Sequence, residues 1–341
     1  MDLSVANALV RRACPSIVYR IRREILGEEP ASAGMRELQN AILKEPEVLR
    51  VISLRKEDGW LGGSFHGRDE PESAIRYLME KGVEPGHPAV QCALRAILSR
   101  GSDFDRGSLE RVGKALDTRK LGGSNLIRAC VFAYAGEETY AFVAAAAEEA
   151  LEVFQAAAAV NDVRELYEDF RGHKVFRPGV LWPSIYHLRL LAFTRGWRTG
   201  ARRAMLCSAA ENIARLSPIP EIKLNFHGQI VSPASAGMND FRSDPRALTG
   251  GQKMMWFHRM ELLARLGVVA GSETLASQLR ALDAMLFEGG GYNNQALRHP
   301  YFTKWTAYTG LALESDWRTG ERRINDLTFR CLLIRRHAET S

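Results

Sequence analysis

Apolar positions recur along this chain with the spacing of helices rather than of strands. Val90, Ala93, Leu94, Ile97 and Leu98 follow the i, i+3, i+4, i+7, i+8 rule that gathers apolar side chains on one helical stripe, and Pro88 stands where a first-turn proline belongs. Leu275, Leu279, Leu282 and Leu286 repeat the stripe after Ser272 and Thr274, whose side chains can cap a helix. Ile75, Leu78 and Met79 mark another helix ahead of Gly82. Strand alternation is scarce: the best run, Val175 to Leu181, is short and broken by Pro178 and Gly179.

Glycines punctuate these stretches at Gly62-Gly63, Gly122-Gly123, Gly250-Gly251 and Gly289-Gly290-Gly291, and Pro178-Gly179 with Pro183 takes that place before Ser184. Glycine lets a chain turn sharply between helices. The spacing predicts helix pairs over 72–99, 124–160, 184–216, 252–287 and 303–337, with further helices before residue 54. In each pair the first helix is richer in large apolar residues and the second carries more charge, as inner and outer layers would.

A second regularity runs across the pairs. Gly196-Trp197-Arg198-Thr199-Gly200-Ala201-Arg202-Arg203 matches Asp316-Trp317-Arg318-Thr319-Gly320-Glu321-Arg322-Arg323 at six of eight positions. A repeated helix–turn–helix unit is the mark of a stacked array, in which no unit can bury its apolar face alone. Trp is expected to pack between helices and Thr to cap the helix that follows. The fold class expected is all-α, an α/α toroid of five to six helical hairpins. Residues 1–54 are expected to pack on or complete it, and 55–341 to form it.

Composition adds limits. Hydrophobic residues at 46% and charged residues at 25% are ordinary for a globular protein. The net charge of +6 is spread out, with no dense basic run, so nucleic acid is not an expected partner. Five scattered cysteines form no metal-spaced cluster and point to reduced thiols in the cytoplasm. Arg11, Arg12, Arg20, Arg22 and Arg23 interrupt any secretory apolar region, and Glu148, Glu149 and Glu152 break the Ala-rich stretch 141–160, so no transmembrane segment is expected. Oligomeric state is not readable.

Asp58-Gly59-Trp60-Leu61-Gly62-Gly63-Ser64-Phe65-His66-Gly67 and Trp182-Pro183-Ser184-Ile185-Tyr186-His187-Leu188-Arg189 resemble the Gly/Trp-rich turns and inner-helix starts of the terpenoid cyclase and protein prenyltransferase α/α-toroid superfamily. The resemblance covers about residues 55–337 and implies the fold. It carries over no catalytic residue. The Asp-x-Asp-Asp acid of the cyclases is missing, Ser102-Asp103-Phe104-Asp105 being the nearest approach, and so are the prenyltransferases' zinc-binding Asp-x-Cys and the Gln-Trp repeat. With no paired histidines at i, i+4 spacing, neither a metal nor another cofactor is expected.

The polar–aromatic residues nominate a site. Tyr292, Asn293, His299 and Trp305 follow the glycine run, where amides, imidazole and phenol can bind a polar ligand or move a proton. The same loop can instead satisfy its own backbone groups. The insertion 217–250 carries His227, Asp240 and Arg242, an acid/base pair with a carboxylate- or phosphate-holding cation, or else a solvated loop. Trp60, His66, Tyr186 and Trp256 complete the expected lining, against the alternative that helix-face aromatics are ordinary core. Catalytic candidates are therefore His299, His227 and Tyr292; ligand-binding candidates are Trp60, His66, Tyr186, Arg242, Trp256, Asn293 and Trp305. The leading expectation is a hydrophobic or amphiphilic small molecule in an aromatic-lined central cavity, bound by a cyclase-like or prenyltransferase-like protein. A lyase-like carbohydrate enzyme and a non-catalytic scaffold are the rivals.

Overall fold

Prolines and capping side chains start the helices where the pattern places them. The structure is a computed structural model that describes residues 3–287 apart from 106, 108, 234, 236 and 249, together with 291–292 and 312–339. Helix makes up 58% of it, so the chain is all-α. Three two-stranded antiparallel ladders are the sheet among the described residues.

The chain divides into two compact units. The first comprises residues 1–108, 245–261 and 280–339. It holds α1 (Leu3–Val10), α2 (Pro15–Arg20), α3 (Ala33–Ile42), α4 (Pro46–Ser53), α5 (Pro71–Lys81) and α6 (Pro88–Ser99). Pro15, Pro46, Pro71 and Pro88 each occupy the first turn, where a missing N–H costs nothing. Gly82 ends α5 in the left-handed region (φ +88°), and a Cβ there would sit 2.7 Å from the Tyr19 ring, so only glycine fits. On α6 the stripe Val90, Ala93, Leu94 and Ile97 is buried, as its spacing predicts.

The second unit comprises residues 109–244 and 262–279, with the two terminal residues. It holds α7 (Glu110–Thr118), α8 (Ser124–Tyr134), α9 (Ala141–Ala159), β1 (Tyr167–Phe170), β2 (His173–Phe176), α10 (Ile185–Phe193), α11 (Gly200–Leu216), β3 (Leu224–Phe226) and β4 (Gln229–Val231). Within it α8 packs on α10 and α9 on α11. Eight of the nine residues of α10 are buried, against five of the seventeen of α11, so α8 and α10 form an inner layer and α9 and α11 an outer one. The unit boundaries fall inside α12 (Gly250–Leu266) and α13 (Glu273–Asp283). Ser272 caps α13, its Oγ accepting from the Leu275 N–H at 3.2 Å. The helix stops at Asp283, and Leu286 lies in the two-residue strand β5 (Leu286–Phe287), paired with β6 (Gly291–Tyr292), rather than on the helical stripe.

In the first unit the N-terminal helices share a core with α14 (Gly320–Glu339). Ala6, Leu9, Ile17, Ile21 and Ile25 pack with Leu313, Phe329, Leu332 and Leu333. The Trp-Arg-Thr-Gly turns occupy matching places. Trp197 and Trp317 are buried, and Thr199 and Thr319 cap α11 and α14 by accepting from the N–H groups of Arg202 (3.2 Å) and Arg322 (3.3 Å).

Each Trp therefore fills the space at the start of a long helix. Replacing either Trp197 or Trp317 by Ala is expected to cost about 3–5 kcal/mol, read from equilibrium denaturation. An unchanged denaturation midpoint for Trp317→Ala would refute the packing role.

Candidate functional site

The two Trp turns differ in what surrounds them. In the second unit Trp197 Nε1 donates to the Leu191 carbonyl at 3.0 Å, and the residue nine positions on is the buried Leu206. In the first unit the equivalent residue is Asp326, fully buried, and Trp317 Nε1 donates to its carboxylate. Two further departures accompany it: Asn325 stands where the other copy has Met205, and Glu314 where it has Thr194. Packing at this turn needs only an apolar residue, as Leu206 demonstrates. The first unit holds three polar side chains in those places, each 6% exposed or less.

These side chains build a hydrogen-bonded floor. Asp326 accepts from the Leu313 N–H (2.8 Å) and the Glu314 N–H (3.1 Å) as well as from the Trp317 indole. Burial pushes its pKa up to about 7 even so, because desolvation outweighs the three donors. Glu314 Oε1 accepts from Asn325 Nδ2 (2.9 Å) and from the Cys14 N–H (3.2 Å), and Arg12 Nε donates to Asn325 Oδ1 at 3.0 Å. Burial also raises the Glu314 pKa. The Cys14 thiol donates to the Leu313 carbonyl at 3.3 Å. Burial, with the Glu314 charge, pushes it far up, so it stays protonated and is no nucleophile.

A buried ammonium completes the floor. Lys81, on the last turn of α5, donates to Glu45 Oε2 at 2.9 Å and to the Leu313 carbonyl. Ser16 Oγ donates to the other Glu45 oxygen at 3.1 Å. The Tyr77 ring, one turn back on α5, lies 5.9 Å from Lys81 Nζ. Burial drives the Tyr77 phenol up in pKa, so it is neutral.

Above this floor opens a cleft of about 710 Å³, within the range of small-molecule sites. Val51, Ala74, Tyr77 and Trp317 give it apolar walls, Glu45, Lys81 and Glu314 its base, and Arg50, Arg68, Asp69 and Arg318 its rim. A second cavity of about 460 Å³ is lined by Arg12, Cys14, Arg322 and Asn325 and meets the first at Glu45, Glu314 and Ser315.

Charge is also buried elsewhere in this unit. Arg330 bridges Glu80 and Glu261 at 2.6 Å each, with Arg76 3.8 Å from Glu80 and Arg20 4.0 Å from Glu261. Burial disfavours the Arg330 cation, but the two carboxylates outweigh it and keep it charged. A cation held between two anions is how such a buried charge is compensated.

The residues nominated from sequence fall in separate places. Trp60 is fully buried in the first unit, its Nε1 donating to the Gly63 and Ser64 carbonyls (3.1 and 3.0 Å) and its ring stacked by Arg100. His66 lies 3.3 Å from Glu72 there, and Trp256 is buried edge-on to Phe257. Tyr186 is buried in the second unit beside His187, whose Nδ1 accepts from the Ser184 N–H at 2.9 Å and whose pKa burial pushes down to about 3. His227 is exposed at the tip of the β3–β4 hairpin, its ring against Phe226. Arg242 is exposed, and Asp240 is engaged by the N–H groups of Arg242 and Ser243. Tyr292 contributes backbone to β6, while its side chain and the whole of Asn293, His299 and Trp305 lie outside the described residues. None of the ten is among the described residues lining the 710 Å³ cleft. A signal for that cleft was available in the repeat: aligning its two copies sets Glu314, Asn325 and Asp326 against Thr194, Met205 and Leu206, and so exposes Asp326 as a charge where a buried leucine suffices.

Compared with protein-family models, curated proteins and solved structures, the chain matches none of them. Among the described residues no group of three His, Cys, Asp or Glu side chains is placed to hold a metal ion, and no helix is long and apolar enough to cross a membrane.

Asp326 makes stability depend on pH in a defined sense. Its folded pKa of about 7 lies above the ordinary 3.8, so the folded state holds a proton that the unfolded state has lost across that interval. Its contribution is full below about pH 4, falls by about 1.4 kcal/mol per pH unit as pH rises towards 7, and is flat beyond. Asn cannot titrate. The stability difference between Asp326→Asn and the parent should therefore move in favour of Asn from about pH 5 to about pH 7 and then level off. Parallel stability–pH curves for the two proteins would contradict the assignment.

Proposed function

We propose that the protein binds a small amphiphilic molecule in the cleft of the first unit. The observation that carries this reading is the pairing of apolar walls with a polar floor. Binding sites combine apolar lining with a few placed polar groups in this way. Val51, Ala74, Tyr77 and Trp317 suit an alkyl or aryl body, and Glu45, Lys81 and Glu314 suit a polar head.

The helix pairs are read here as an α/α toroid of the kind that the terpenoid cyclase and prenyltransferase resemblance implies. The serial pairing and the inner and outer layers of the second unit support that reading. The resemblance speaks for the fold, and the cleft speaks for the ligand. Binding, rather than cyclisation or prenyl transfer, is the function proposed, since the sequence lacks the residues for either reaction. Five free cysteines favour a reducing compartment such as the cytoplasm.

The test uses short amphiphiles of three charges: 1-hexanol, hexanoate and n-hexylammonium. Nuclear magnetic resonance titration of the full chain should show at least one binding saturably. Ala312→Trp, which fills the cleft, should weaken that binding by about tenfold or more at unchanged stability. If none of the three saturates, or if Ala312→Trp binds as the parent does, the cleft is not the site.

A further inference from the structure

Three features of the first unit invite a role beyond general binding. The Arg330–Glu80–Glu261 network is buried and lines neither cavity, so it offers a ligand nothing. The smaller cavity meets the capped start of α14, but Arg12 and Arg322 are already engaged by Asn325 and Asp316. The third feature is the charge balance on the floor of the larger cleft, and it specifies a ligand.

Two carboxyl groups of that floor, Glu45 and Glu314, line the cleft itself, with one cation, Lys81. Glu45 is paired with Lys81 at 2.9 Å. Glu314, 6% exposed, has no basic side chain within 4.0 Å among the described residues. Its Oε1 takes both available N–H donors, from Asn325 and Cys14, which leaves Oε2 as the atom for a further partner. The remaining cations of the cleft sit at the rim, where Arg50 pairs with Glu47 and Asp69, and the side chains of Arg50 and Arg68 are 38% and 75% exposed. Arg322 and Lys81 act on it only from beyond 4.0 Å, and burial outweighs them and raises its pKa, the cost of a buried carboxyl with no cation in contact.

We propose that the head group bound in the cleft is a primary ammonium, received by Glu314 Oε2, with an apolar body lying between Tyr77 and Trp317. The inference rests on the cleft being the ligand site. The floor already holds one alkylammonium in this manner: Lys81 sits against a carboxylate, a backbone carbonyl and the Tyr77 ring. Aromatic faces add attraction for a cation through their quadrupoles. A hydroxyl head would leave the floor one cation short.

The proposal sets the sign of the pH dependence. The charged and titratable groups about Glu314 are Lys81 and Glu45, Arg12 and Cys14 from the N-terminal segment, and Arg322 and Asp326 from α14. An incoming ammonium favours the ionised carboxyl, so binding expels the proton that burial had favoured. Affinity for the ammonium rises with pH through the Glu314 titration, and Glu314→Gln removes the part of that rise that belongs to Glu314 rather than to Asp326.

Calorimetric titration of the full chain with n-hexylammonium chloride and with 1-hexanol, across the pH range in which the chain stays folded, tests this. The ammonium should bind the parent about tenfold more tightly than the alcohol, with affinity rising as pH rises. Glu314→Gln should abolish the preference and still bind the alcohol. Equal affinity for the two compounds, or ammonium affinity that falls with pH, overturns the ammonium assignment while the cleft stands as a binding site. A preference retained in Glu314→Gln removes Glu314 from the role. Saturation by neither compound overturns the inference together with the reading beneath it. Where Glu314→Gln fails to fold, the parent's preference for the ammonium over the alcohol at one pH still decides the ammonium assignment.

Discussion

One buried carboxyl group organises the cleft end of the first unit. Asp326 holds two successive backbone N–H groups and the Trp317 indole, and so fixes the stretch from Leu313 to Trp317 onto α14. Everything that faces the cleft from that side depends on it: the carbonyl that Lys81 binds, the direction of Glu314, and the Trp317 wall. Desolvating a carboxyl group is expensive, and a leucine serves the corresponding turn of the second unit. The cost is tolerated where geometry is needed, as buried polar networks that specify one arrangement tend to be.

The internal repeat separates what folding requires from what it does not. Both copies share the buried Trp, the Thr cap and the glycine that opens a long helix. These features are packing and capping, and they recur because each long helix meets the same problem at its start. The polar triad occurs in one copy alone. Internal comparison thus does for this chain what comparison with relatives does for others: it treats one half as the control for the other.

Much of the fold was legible in the sequence. Helical periodicity, first-turn prolines and the glycine at the end of α5 placed α5, α6, α8 to α11 and α13 to within a few residues, because these are local effects. The β1–β2 and β3–β4 hairpins were not legible. Their strands run three to four residues, too short for alternation to register, and they are held by mutual pairing and by a bridge between Val175 and Lys223 that no local pattern announces. The candidate site was legible only in its general chemistry. Reading by residue type drew attention to His, Tyr and Asn on loops. The cleft is instead built from residues far apart in sequence: Glu45 just ahead of α4, Lys81 at the end of α5 and Glu314 in the segment before α14 meet only once the chain is folded. A glutamate or lysine otherwise reads as solvated surface, and nothing at positions 45 or 81 marks them as buried partners.

A crystal structure of the full chain with n-hexylammonium is the most direct measurement of the central claim. The ammonium nitrogen is expected about 3 Å from Glu314 Oε2, with the hexyl chain between Tyr77 and Trp317 and the Asp326 contacts unchanged. An amine found elsewhere on the protein, with the cleft empty at saturating concentration, would contradict it.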